Sequence, residues 1–181
     1  MEAPGITRHR RPFLAPLWVS LVAALLLLGI AWAVYHDATT TVVLLVHPAE
    51  KDPGTIEDPP VSPEGEARAQ RLAQMFGDPT GGVDAIYESD ERRAQQTVAP
   101  LAERLHRAPT VFKADEARAA AARILRQHPG GTVLVVASGA ALPQMIQELT
   151  GTDRALPDDA SVLYVVSVPS VGRAHLARLR F

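Results

Sequence analysis

From Phe13 to Tyr35 the chain runs 23 residues without a charged side chain, with the stretch Leu17-Trp18-Val19-Ser20-Leu21-Val22-Ala23-Ala24-Leu25-Leu26-Leu27-Leu28 as its core. As a helix this segment is roughly 34 Å long, enough to cross the hydrocarbon core of a bilayer with slight tilt. A soluble helix of this kind would need apolar partners on every side, which so small a domain does not supply. Arg8, Arg10 and Arg11 precede the run and Asp37 is the first charge after it. The positive-inside rule therefore puts the N-terminus in the cytoplasm and the bulk of the chain across the membrane, which is periplasmic in a Gram-negative cell. Trp18, Trp32 and Tyr35 suit the two interfaces. A cleaved signal peptide, leaving a secreted remainder, is the rival reading, because Ala31-Trp32-Ala33 has the small-x-small form that precedes cleavage sites. The expected organisation is a basic cytoplasmic segment over residues 1–12, a transmembrane anchor (or signal) over 13–35 and one domain over 36–181.

Two exclusions follow from composition. Cysteine is absent, which removes disulfides, thiolate metal sites, iron–sulfur clusters and cysteine nucleophiles. Residues 36–181 carry 15 basic and 19 acidic side chains, a balance that gives no footing for nucleic acid.

Beyond the anchor, apolar strand-like runs alternate with amphipathic stretches, which predicts α/β layering around a largely parallel sheet. Thr40 to Val46 is a buried-strand pattern. A helix follows to about Phe76, with Ser62 as N-cap, Pro63 at the first helical position and an acidic first turn. Gly81-Gly82 breaks the chain before a short strand, Val83 to Tyr87. A helix from about Glu91 to His106 puts Ala94, Val98, Leu101 and Leu105 on one face. Another helix covers Ala117 to Gln127, and Gly130-Gly131 leads into the strand Thr132 to Val136. A helix from about Ala141 to Leu149 ends at Gly151. Ser161 to Val166 and Arg173 to Arg180 pair as a closing hairpin; Lys51 to Pro63 is the linker-like stretch.

In such sheets ligands bind where strands end and loops lead into helices. Those places are Val46 to Lys51, Glu88 to Arg93 and Ala137 to Ala140. None carries a dinucleotide fingerprint or a P-loop. Ser138 sits at a strand-to-helix turn, but Val136 and Ala140 replace the flanking glycines of a nucleophile elbow. Glu88 and Asp115 are candidate general acids on loops near the strand ends. His36, His106, His128 and His175 are dispersed without metal-ligand spacing, so neither a metal site nor a cofactor is expected.

Four stretches, in this order and spacing, carry a resemblance. They are Leu44 to Lys51, where a family pattern reads L-V-R-H-A-E-K; Asp58 to Gly65 with Ala67 to Gln70; Val83 to Asp90 with Arg92-Arg93-Ala94-Gln95-Gln96-Thr97; and Thr132 to Gly139 with Pro143. From Thr40 to about Thr150 the chain resembles the histidine phosphatase superfamily, the phosphoglycerate-mutase-like fold, in its small single-domain form. The resemblance implies a three-layer α/β sandwich with a mostly parallel central sheet. It also implies a covalent phosphohistidine mechanism: one histidine attacks phosphorus, two arginines and a second histidine hold the phosphoryl oxygens, and a carboxylic acid protonates the leaving group. Such a transition state needs several fixed cationic donors and a neutral imidazole aimed in line.

Against that pattern, an alignment of Ala49-Glu50-Lys51 without a gap puts His47 in the arginine position and Pro48 in that of the nucleophile. A one-residue shift makes His47 the nucleophile, with Val46 replacing the arginine and Pro48 as an extra residue. In both registers Ser138 stands where the second histidine is implied, and Ala140 replaces an asparagine. Arg93 keeps its family identity, as a phosphate-binding residue. These departures lead to the expectation of a degenerate member, a pseudophosphatase held at a membrane through residues 13–35 and binding a protein partner or a phosphorylated ligand. The alternatives are a divergent phosphomonoesterase using His47 with Arg93, and a structural lipid-proximal domain.

Overall fold

The computed structural model describes residues 17–38, 40–54, 57–78, 82–153, 159 and 161–180. Arg8, Arg10 and Arg11 and the first residues of the expected anchor, 13–16, lie outside the described residues, as does Gly81. The chain divides into two compact units, one ending at Tyr35 and one running from His36 to Phe181. The helix α1 (Leu17–Ala38) begins in the first and continues three residues past the expected end of the apolar run. Its window Trp18–Tyr35 has a mean hydropathy of 2.2. This helix is long and apolar enough to cross a membrane, a property it shares with signal sequences.

The second unit is a three-layer sandwich. Its strands are β1 (Thr41–Val46), β2 (Ala85–Ser89), β3 (Thr110–Phe112), β4 (Thr132–Val136), β5 (Val162–Val168) and β6 (His175–Arg180), in the sheet order β3-β2-β4-β1-β5-β6. The pairings among β3, β2, β4 and β1 are parallel, and β5 and β6 add as an antiparallel hairpin beside β1. The helices are α2 (Pro63–Phe76), α3 (Arg92–Leu105), α4 (Ala117–Gln127) and α5 (Ala141–Thr150).

Both faces of the central strands are covered, which is why these strands read as continuous apolar runs and not as alternations. Val43 and Leu45 of β1 join Val133 and Val135 of β4 under Ala120, Ile124, Leu142 and Met145 of α4 and α5. Leu44, Val46, Leu134 and Val136 face the other way, against Leu72, Ala94, Val98 and Leu101 of α2 and α3. The outer strands are short or charged. β3 has three residues, and β6 carries Arg178 and Arg180, a usual protection against edge-to-edge association.

Local signals explain most boundaries. Ser62 Oγ accepts from Gly65 N at 3.1 Å, and Pro63 opens α2. Gly151 closes α5 with φ 68°. β2 departs from expectation: it starts at Ala85, not Val83, and runs to Ser89. Asp84 is taken up at the foot of the sheet, where its N–H donates to Thr132 O at 2.7 Å and its carboxylate accepts from Thr132 N at 2.8 Å. At the other end, Tyr87, Glu88 and Ser89 pair with β3, a strand too short to show a period in the sequence. Glu88 is therefore a buried strand residue and not a loop acid.

One close approach fixes how α2 enters. A Cβ added at Gly65 would lie 2.6 Å from the carbonyl oxygen of Glu50, and closer still to Cγ1 of Val61. Gly65→Ala is expected to lower stability by about 1–3 kcal/mol, as overpacking of a tight contact does. Urea unfolding of the unit from His36 to Phe181 checks this; an unchanged midpoint would show that the loop yields freely.

Candidate functional site

The chain leaves β1 toward α2 on one face of the sheet and leaves β4 toward α5 on the other, so the carboxyl ends of these adjacent strands diverge and open a crevice. Such a switch point is where α/β sheets bind ligands. Here it forms a cavity of about 840 Å³, lined among the described residues by Pro48, Ser138 and Gly139 from the strand ends, by residues of the β1–α2 loop, and by Asp90, Glu91 and Arg93 at the start of α3.

The loop after β1 is held by the first turns of α3. Ala49 N donates to Thr97 Oγ1 at 2.9 Å, Thr97 Oγ1 donates to the carbonyl of Arg93 at 2.7 Å, and Arg93 Nη1 donates to Ala49 O at 3.3 Å. One turn along, Val61 N donates to Gln96 Oε1 at 2.8 Å. The Arg-Ala-x-x-Thr pattern thus clamps the peptide next to Pro48. Gln96 and Thr97 were legible only as part of that pattern, without a role. Glu50 turns away from the crevice to a bidentate pair with Arg68, whose Nε lies 3.0 Å from Oε2. Partial burial pushes the Glu50 carboxyl up, but the Arg68 hydrogen bond and charge outweigh it and hold the group below the usual range.

The cavity is acidic. Asp52, Glu57, Asp58, Asp90 and Glu91 line it against Lys51 and Arg93. Two donors beside it are engaged by the protein's own acceptors. At the start of α3, where a helix offers unpaired N–H groups to anions, Arg92 N donates to both carboxylate oxygens of Asp58, at 3.1 and 3.2 Å. The Ser138 hydroxyl donates to Oε2 of Glu91.

The predicted site residues separate into two groups. Pro48, Arg93 and Ser138 share the cavity wall. His47 is not among the lining residues: it is 4% exposed, with its ring edge-on to Tyr164 at 6.4 Å between centroids and 68° between planes. Asp115 lies exposed on the 3-10 turn Ala114–Glu116 before α4, and His128 packs edge-on against Tyr87 at 5.9 Å. His106 is the left-handed C-cap of α3, and His175 opens β6. Sequence reasoning missed Asp58 and Glu91 as acceptors, because neither their spacing nor their type marks them.

The sequence profile of the histidine phosphatase superfamily (branch 1) matches residues 46–115, which supply the described lining of this crevice apart from Ser138 and Gly139. Over these residues the chain resembles the histidine phosphatase superfamily. Solved structures share this fold. The protein histidine phosphatase SixA complexed with tungstate aligns at 15% identity and TM-score 0.61 over 77% of this chain and 96% of that one. A mycobacterial glucosyl-3-phosphoglycerate phosphatase aligns at 15% identity and TM-score 0.62 over 78% and 99%. The putative phosphohistidine phosphatase SixA from Agrobacterium tumefaciens aligns at 19% identity and TM-score 0.59 over 77% and 98%. No curated protein matches the chain in sequence.

Two residues before Asp90, Glu88 is 6% exposed, and its Oε2 finds no hydrogen-bond partner among the described residues. Burial pushes this strand carboxyl up from 4.5 to about 7. Between those pH values the folded state holds a proton that the unfolded state has released, so stability is greatest at the acidic end and falls as pH rises through about 7. Glu88→Gln is expected to flatten this slope and to unfold at higher urea than the wild type above neutrality. Midpoints measured across the range decide it; equal slopes for the two proteins would show that Glu88 is already solvated or paired.

Proposed function

We propose that the chain is a membrane-held pseudophosphatase: a histidine phosphatase fold that serves as a binding or scaffolding module without phosphoryl-transfer chemistry. The observation that carries this reading is Pro48 on the cavity wall, with the neighbouring His47 ring turned against Tyr164. This supports the ungapped alignment, in which proline, a residue without a nucleophilic side chain, takes the nucleophile's position. The loss of the second histidine to Ser138 is independent of alignment. Removing one preorganised donor costs about two to three orders of magnitude in rate, and here at least two groups are missing. The acidic lining adds repulsion where phosphoryl transfer needs cations.

α1 supplies the tether, with Arg8, Arg10 and Arg11 on the cytoplasmic side and the domain across the membrane. A protein partner is the ligand this reading expects.

A second reading, a divergent phosphomonoesterase, is favoured by the names of the solved relatives, which are phosphatases, and by Arg93 in the cavity. In it His47 accepts the phosphoryl group and Arg93 binds it. The two readings part on one experiment: phosphomonoester hydrolysis by the wild type beside His47→Ala and Arg93→Ala, with acid-labile phosphohistidine sought by mass spectrometry. The pseudophosphatase reading predicts background rates in all three proteins and no phosphohistidine. Turnover abolished in both variants would replace it with the second reading.

A further inference from the structure

We propose that Glu91 sets the selectivity of the cavity as a built-in anion, whose carboxylate keeps phosphate and similar oxyanions from the Arg93 guanidinium. The inference rests on the reading of the cavity as non-catalytic and concerns binding alone. Glu91 immediately precedes α3 in extended conformation, φ −72° and ψ 138°, and its side chain makes no bond to its own helix. A carboxylate at this position ordinarily turns to the helix N–H groups. Here Asp58 already occupies Arg92 N from the opposite loop. Glu91 instead reaches to β4's end, where the Ser138 hydroxyl donates to it.

Ser138 and Glu91 line the same cavity as Arg93. Ser138 is 9% exposed, and its hydroxyl is satisfied by this carboxylate. An entering oxyanion must displace Glu91 from Ser138 or settle beside a like charge in a partly desolvated crevice; both oppose binding. Glu91 is thus a specificity-determining residue: the cavity admits neutral or cationic groups and turns away phosphate.

The test is a calorimetric titration of the full-length protein in detergent micelles with sodium tungstate, an oxyanion of phosphate-like shape. Glu91→Gln keeps the size of the side chain and removes its charge; it is expected to bind tungstate about ten-fold more tightly than the wild type. Glu91→Ala is expected to show the same gain, which covers the case in which one variant folds poorly. Adding Arg93→Ala to Glu91→Gln is expected to cancel it. Asp90→Asn removes a charge from the same wall without touching the Ser138 bond, and its gain is expected to stay below about three-fold.

Tungstate affinity of Glu91→Gln and Glu91→Ala no higher than that of the wild type overturns the proposal, as does an equal gain from Asp90→Asn. Phosphomonoester hydrolysis measured on the same samples separates the two claims. Turnover by the wild type overturns the non-catalytic reading, while the affinity ratio alone decides the role of Glu91.

Discussion

The hydrogen bonds that tie the Ala49 peptide to α3 are the constraint on which the site depends. Thr97 accepts from its N–H and Arg93 donates to its carbonyl, so the residues just after β1 cannot shift without α3. This anchoring is buried and charge-assisted on one side, the kind of contact whose loss leaves an unsatisfied peptide group and costs about 1–3 kcal/mol. It fixes which side chains of the His47-Pro48 pair meet the crevice. It also engages the guanidinium that the family pattern would lead one to assign wholly to a ligand.

Around that fixed loop the described cavity wall carries more acidic than basic side chains. The ends of parallel strands and the start of a helix still converge, as the sheet's topology requires. Asp58 accepts from Arg92 N and Glu91 from the Ser138 hydroxyl, and five acids against two bases line the described wall. An acidic lining on this architecture is the reason likeness of fold is not by itself likeness of chemistry.

Much of this was legible in the sequence. Residues whose signal is local behaved as read: α4 spans Ala117–Gln127 and β4 spans Thr132–Val136, and the Ser62 cap and Gly151 stop act where their chemistry predicts. The four stretches that carry the family likeness fold into one sheet and its crevice. What could not be read depends on partners far apart in the chain. Glu91 meets Ser138 across 47 positions and Arg92 meets Asp58 across 34, and neither pairing leaves a periodic or motif-like trace. The burial of Glu88 has the same origin: it follows from pairing with the three-residue β3 on one side and β4 on the other, a tertiary arrangement that overrides the loop character suggested by a run of polar residues.

The central claim is that the crevice is closed to oxyanions by the protein's own carboxylates and lacks a nucleophile. Its most direct test is a crystal structure of the unit from His36 to Phe181 grown with excess tungstate. The account predicts a crevice free of tungstate, with Ser138 still bonded to Glu91, Arg92 N to Asp58, and the His47 ring against Tyr164. Tungstate seated on Arg93, with Glu91 swung aside and His47 turned toward the metal, would contradict it.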